Sequence, residues 1–252
     1  MMEGIRRWKG LGKKKKPPVE PWHVRAVLSG QPAPYFRGGK FSELQLIQAR
    51  LLLVLGWQLF CRPQDFYELE VCDFRFEEAE MEVTIRYAKN DVKGLTRAPR
   101  LAAEDDEWCP IQMTREYFEA AKIAVHPRCD KVSGEPTRCS VCPAAFPPIW
   151  KHKGVQRGRR IPTAQVSMRI RSLFIGLAEQ GHMAMEEARQ FSGKSCRCGG
   201  VSSAAGLAVR DGVLQGHGGW LTRQSLRHYD LMKPAEKALV SATLNKAIRS
   251  SR

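Results

Sequence analysis

Between residues 41 and 60 the apolar side chains of Leu44, Leu46, Ile47, Leu51, Leu52, Val54, Leu55 and Leu59 recur at helical spacing. The densest part, residues 51–56, reads as a core helix segment, so the rest of the chain has to be arranged around it. The helix runs directly into Cys61-Arg62-Pro63, where Pro63 suits the first position of a second, short helix. A chain of 252 residues is long enough for one substantial core, or one domain with a small appendage. No run approaches the 18 or more apolar residues that a membrane span needs.

After the second helix, residues 71–76 and 81–87 are β-rich and separated by an acidic turn, with a further extended piece at 96–101. Together they predict a three-stranded antiparallel sheet. Lys89, Asn90 and Asp91 fall in the connection after its second strand, and Lys93-Gly94 supplies the turn. Helical patterns follow at 110–125 and 163–180, a small-residue helix at 202–213, and an amphipathic terminal helix at 234–249. The expected fold class is therefore α+β and mostly helical. Residues 1–40 read as a tail, because a KKKK run and scattered prolines and glycines resist packing. The KKKK run reads as a solvated tether, with a nuclear signal or a phosphate contact as the alternatives. Residues 41–252 read as one domain, with an irregular insertion rich in Cys, Pro and basic residues at 126–160.

Charge narrows the class of partner. Lys and Arg number 41 against 26 Asp and Glu, a net charge of +15. A chain this basic points to a polyanion, nucleic acid before an anionic membrane surface. Eight cysteines are too few and too scattered for a disulfide scaffold, which leads to the expectation of an intracellular, reducing location.

The chemistry concentrates in residues 192–229. Lys194 stands three positions before Arg197, a Gly-His-Gly-Gly-Trp turn follows, and Tyr229 closes a basic segment. A phosphodiester in its pentacoordinate transition state carries charge on non-bridging oxygens. Guanidinium groups meet that charge bidentately. A leaving alkoxide needs a general acid, which a lysine can supply, and a covalent step needs a nucleophile, which a phenol among cations can supply. Arg62, Lys89, Arg197 and Tyr229 make up such a set.

These residues, in this order, resemble the catalytic domain of the tyrosine recombinase (phage-integrase) superfamily. GWQLFCRPQDFYELEVCDF matches the family's first arginine at the start of an acidic helix, and RYAKNDVKG matches its hairpin lysine. SGKSCR, GHGGW and LRHYDL correspond to the His-x-x-Arg box, the later His or Trp, and the C-terminal tyrosine. The resemblance covers roughly residues 41–252 and implies cleavage of double-stranded DNA by Tyr229 through a 3′-phosphotyrosyl intermediate. It further implies that Arg62 and Arg197 hold the phosphate, that Lys89 protonates the leaving 5′-oxygen, and that neither metal nor ATP takes part. Family members work as tetramers on paired sites, so the helix at 234–249 is a candidate to dock on a neighbouring subunit. The location implied is nuclear in a eukaryote, otherwise cytoplasmic or nucleoid.

Two positions depart from the family pattern. Lys194 stands where the family has His; it can donate to a phosphate but is a poor proton acceptor unless burial lowers its pKa. At the His/Trp position, Trp220 lies 23 residues after Arg197 and 9 before Tyr229, the family intervals, whereas His217 lies 20 after and 12 before. Spacing favours Trp220, with His217 as second choice. The family also carries an N-terminal domain that closes a clamp around DNA, and forty tail-like residues are not expected to supply it. A relic of a mobile element, of retrotransposon type, fits that reading. A non-catalytic DNA-binding descendant and a topoisomerase-like relaxing enzyme remain the alternatives.

In the insertion, Cys139-x-x-Cys142 matches half of a zinc knuckle, and His126-x-x-Cys129 is the candidate other half, with Cys109 and His152 flanking. Zinc there competes with a disordered basic insertion. Lys151, Lys153, Arg157, Arg159 and Arg160 are expected to reach DNA phosphates in either case. Cys196 and Cys198 read as small packing residues.

Overall fold

Pro21 opens the first helix, as a residue without an N–H suits the first helical position. The computed structural model describes residues 16–30, 35–36, 39–86, 96–106, 108–129, 139–150, 153–207, 209–219 and 234–250. Helix α1 (Pro21–Ser29) buries Val24 and Val27, and Val19 just before it is fully buried. This corrects the expectation of a tail up to residue 40: the Val19 N–H donates to Ser195 O at 3.0 Å, and Trp57 Nε1 donates to Val19 O at 2.8 Å. Apolar residues at 19, 24 and 27 outweigh the local proline content, because each has core surface to cover.

Strands β1 (Tyr35–Phe36) and β2 (Gly39–Lys40) pair antiparallel ahead of helix α2 (Glu43–Gln58). Ser42 caps α2: its hydroxyl accepts the Gln45 N–H at 3.3 Å, and Gln45 Oε1 accepts the Ser42 N–H at 2.9 Å. Every residue from Leu51 to Gln58 is buried, so α2 is apolar on all sides and can lie only at the centre. Helix α3 (Pro63–Glu68), a 3₁₀ turn (Val71–Asp73) and strands β3 (Phe74–Phe76), β4 (Glu80–Val83) and β5 (Arg100–Ala102) follow. The three strands form the antiparallel sheet predicted, in the order β3-β4-β5, with Phe76 opposite Met81 and Met81 opposite Leu101.

Helix α4 (Pro110–Ala120) and helix α5 (Thr163–Glu179) pack on α2. Between them, Cys142 and residues 144–149 of the supposed insertion are buried. Phe146 is fully buried against Phe66, Tyr117 and Phe74, and the hairpin of β6 (Ile149–Trp150) and β7 (Gly154–Val155) follows it. Its backbone is bound from three sides: Gln48 Nε2 donates to Pro147 O at 2.9 Å, and Gln45 Nε2 and Arg169 Nη2 donate to Ile149 O at 2.8 and 3.0 Å.

A short helix α6 (Met185–Ala188) leads to α7 (Gly193–Gly206) and α8 (Asp211–Gly218). The small-residue helix thus begins nine residues earlier than residue 202 and carries both Lys194 and Arg197. Helix α9 (Pro234–Ser250) packs on its own domain, with Val240, Leu244 and Ile248 buried. Ser241 Oγ accepts the Ala102 N–H at 3.3 Å and donates to Gln58 Oε1 at 3.1 Å, and Gln58 Nε2 donates to Asn245 Oδ1. In this single chain the apolar face of the helix covers the chain's own core. Among the described residues no helix is long and apolar enough to cross a membrane.

Candidate active site

The last carbonyls of a helix have no partner within it, and on α2 those groups organise the site. Phe60 adopts a left-handed backbone (φ 51°) that ends the helix. Arg97 Nη1 donates to Leu59 O and to His217 O, both at 2.6 Å. Arg197 Nη1 donates to Phe60 O at 2.6 Å, and its Nη2 donates to Gly218 O at 3.1 Å. His217 Nε2 donates to Gln58 O at 2.6 Å. Cations here also compensate the negative end of the helix dipole.

Arg62 faces this group from the N-cap of α3. Its backbone N–H donates to Asp65 Oδ2 at 2.7 Å, and the same oxygen lies 3.6 Å from Arg97 Nη2. Close approach of α7 brings Arg197 in. A Cβ on Gly200 would lie 1.9 Å from Trp57 O, one on Gly193 2.5 Å from Pro63 Cγ, and one on Gly56 3.2 Å from Cys196 Cβ. Glycine at these positions lets α7 lie directly on α2 and on the start of α3.

Arg197 thus has the charges of Arg97, Arg62 and Asp65 around it, and Arg97 pairs with Asp65. Burial, with the charges of Arg97 and Arg62 beside it, pulls the Arg197 pKa down to about 10, so the group stays protonated at neutral pH. A partly buried excess of positive charge favours an anion. Beside it opens a cleft of about 640 Å³ lined by Arg62, Pro63, Gln64, Asp65, Thr163, Ala164, Ser167 and Lys194. Lys194 is exposed on its rim. Such a cleft can take a phosphate with its flanking backbone.

Of the residues named from the sequence, Arg62 and Lys194 line this cleft and Arg197 lies beside Arg62. Lys89, Trp220, Tyr229 and Lys151 lie outside the described residues. The residues on either side of the Lys89 connection pair directly: Ile85 N–H donates to Arg97 O at 2.7 Å, and Arg97 N–H to Ile85 O at 3.0 Å. His217 is 1% exposed and directs Nε2 at the α2 terminus, with its ring edge-to-face on Phe60. Arg97 and Asp65 were missed by sequence reasoning. The only hint of Asp65 is its place three residues after Arg62, where a carboxylate caps the helix start.

The basic residues of 151–160 separate. Lys153, Arg157 and Arg159 are exposed. Arg160 is a correction: its Nη1 donates to Tyr67 O and Glu68 O at 3.1 and 3.2 Å, and its Nη2 pairs with Glu70 Oε1 at 2.7 Å. It caps the end of α3 and is engaged within the fold.

The metal candidate also changes membership. Cys72, Cys129, Cys139 and Cys142 bring their sulfur atoms within 4.8 Å of one another. His126 is exposed and accepts the Arg128 N–H at its Nδ1 at 3.1 Å, so Cys72 takes the place expected for it. Cys72 lies 57 residues from Cys129 in the chain, and no spacing motif could have named it.

No protein-family model and no curated protein matches the sequence. Among solved structures, the chain is similar to the site-specific recombinase XerH in a pre-cleavage complex with its difH substrate. The TM-score is 0.51 at 15% identity, covering 89% of this chain and 53% of that one. A post-cleavage complex of XerH with a palindromic difH substrate gives 0.52 at 15%, covering 92% and 55%. An integrase from mycobacterium phage Brujita covers 98% of this chain and 66% of its own at 13% identity; its TM-score of 0.42 carries no argument. The likeness shows the fold, that of the tyrosine recombinase catalytic domain, as the sequence resemblance implied. The chain spans about half the length of the XerH structures it matches.

Proposed function

We propose that this chain cleaves and rejoins double-stranded DNA, with Tyr229 as nucleophile, in site-specific recombination or integration. The observation that carries this reading is the convergence of Arg62, Arg97 and Arg197 beside an open cleft, in a fold shared with a site-specific recombinase. In the proposed step Tyr229 releases its phenolic proton to solvent and its oxygen attacks a backbone phosphorus; the bond to the 5′-oxygen breaks, and Lys89 gives that oxygen its proton. Arg62 and Arg197 bind the non-bridging oxygens, and Arg97 holds Arg197 and Asp65 in register from behind. Lys194 serves as a phosphate donor at the rim, and Trp220 closes the pocket with its indole N–H. A 5′-hydroxyl then attacks the phosphotyrosine and reverses the step; the bond energy is conserved, so rejoining needs no ATP. We extend the proposal to a homo-oligomer acting on paired DNA sites.

A nicked suicide substrate tests it, since loss of the short 5′ fragment traps the covalent intermediate. Incubation should give a protein–DNA adduct that survives denaturation, vanishes with Tyr229→Phe, and falls by about 10²-fold or more with Arg197→Ala. Binding without any adduct would leave a non-catalytic DNA-binding protein. Relaxation of supercoiled plasmid without a preferred site would make it a topoisomerase-like enzyme instead.

A further inference from the structure

The four-cysteine cluster stands apart from the arginine site, and the strand-cleavage reading does not use it. Its members come from three places: Cys72 from the 3₁₀ turn after α3, Cys129 from a turn in which its N–H donates to His126 O at 2.8 Å, and Cys139 with Cys142 from one short loop. None of them is in a disulfide. Cys129 Sγ and Cys139 Sγ are 3.6 Å apart, well beyond a disulfide bond of about 2.05 Å. Zinc–thiolate bonds of about 2.3 Å in a tetrahedron separate the sulfurs by about 3.8 Å. The spacing is that of ligands around one ion.

We propose that Cys72, Cys129, Cys139 and Cys142 bind a single zinc ion as a four-thiolate structural site. The surroundings suit thiolates. Cys142 N–H donates to Cys139 Sγ at 3.3 Å, the turn expected of a Cys-x-x-Cys knuckle, and His126 N–H donates to Cys142 Sγ at 3.4 Å. Outside the sulfurs, Cys139 N–H donates to Glu70 Oε2 at 2.8 Å, and Arg86 and Arg160 hold that carboxylate at 2.9 and 2.7 Å. Such outer partners fix ligand orientation. The segment joined to Cys142 pairs with the chain just before Cys72: Val71 N–H donates to Pro143 O at 3.1 Å and Ala145 N–H to Leu69 O at 3.0 Å. The ion therefore pins Cys129 and residues 139–145 behind α3, the helix that presents Arg62. Thiolates in a closed tetrahedral set select zinc over the harder divalent ions.

The full chain, purified without chelator, should carry one zinc per molecule by plasma mass spectrometry. Cys72→Ser and Cys139→Ser should each drop that below a tenth, while His126→Ala and Cys198→Ser leave it intact. Cobalt exchanged into the wild type should give the intense visible bands of a tetrahedral thiolate site. Stripping zinc should lower the thermal midpoint by about 10 °C. Loss of zinc on His126→Ala would overturn the ligand set. If the cysteine variants do not fold, the wild type still decides. Four alkylatable thiols without metal, a disulfide by non-reducing mass spectrometry, or iron in place of zinc would each overturn the proposal.

Discussion

Arg97 shows how much one side chain can organise. It is 6% exposed and satisfies two carbonyls at 2.6 Å, one from the end of α2 and one from α8, while facing Asp65. Removing it would orphan those groups and leave the Asp65 carboxylate buried with weaker compensation, a larger loss than any surface cation represents. Arg97→Leu should lower the free energy of unfolding by about 3–5 kcal/mol in urea titrations. Arg75→Leu, on the exposed face of β3, should change it by less than about 0.5 kcal/mol. Equal effects of the two would refute the organising role.

Helix α7 is the element on which the site depends, and its own composition argues against helix. Gly199 and Gly200 each cost about 1 kcal/mol relative to alanine in a helix interior. They are accommodated because a side chain could not fit: Val19 O and Trp57 O would each lie 1.9 Å from an added Cβ. Tertiary packing here overrides propensity, which is why periodicity placed the helix nine residues late. Gly200→Ala should therefore destabilise the fold by about 3 kcal/mol despite its better propensity, and should draw Arg197 away from Phe60 O. Ser202→Ala, exposed on the same helix, should stay within about 0.5 kcal/mol. Thermal or urea melts distinguish the two, and a stabilising Gly200→Ala would show that α7 does not touch α2 closely.

For the molecule as a whole, a net charge of +15 adds to any specific contact. Each phosphate neutralised releases counterions, so the logarithm of the DNA-binding constant should fall linearly with the logarithm of salt. With Tyr229→Phe to prevent cleavage, fluorescence anisotropy should show a loss of about 10³-fold or more between 50 and 200 mM salt, as six or more phosphate contacts require. Affinity insensitive to salt would exclude the basic surface as the docking face.

By itself the sequence determined what is local and periodic. The apolar run of 41–60 had to be a buried helix, alternation with an acidic turn had to be an antiparallel sheet, and Arg62 and Arg197 could be named as candidates from the motifs around them. The tertiary structure decided what depends on residues far apart in the chain. Arg97 entered the site because its backbone bridges to Ile85 and its side chain reaches the end of α2, and Cys72 joined Cys129, Cys139 and Cys142 across 57 residues. Arg160 turned inward, because Glu70 and the end of α3 offered it partners. Val19, Val24 and Val27 in a proline-containing stretch, and Ala145, Phe146 and Ile149 in another, joined the core once α2 gave them a surface to cover. Local patterns report which face a residue prefers, and only the assembled fold sets which other residue stands opposite it.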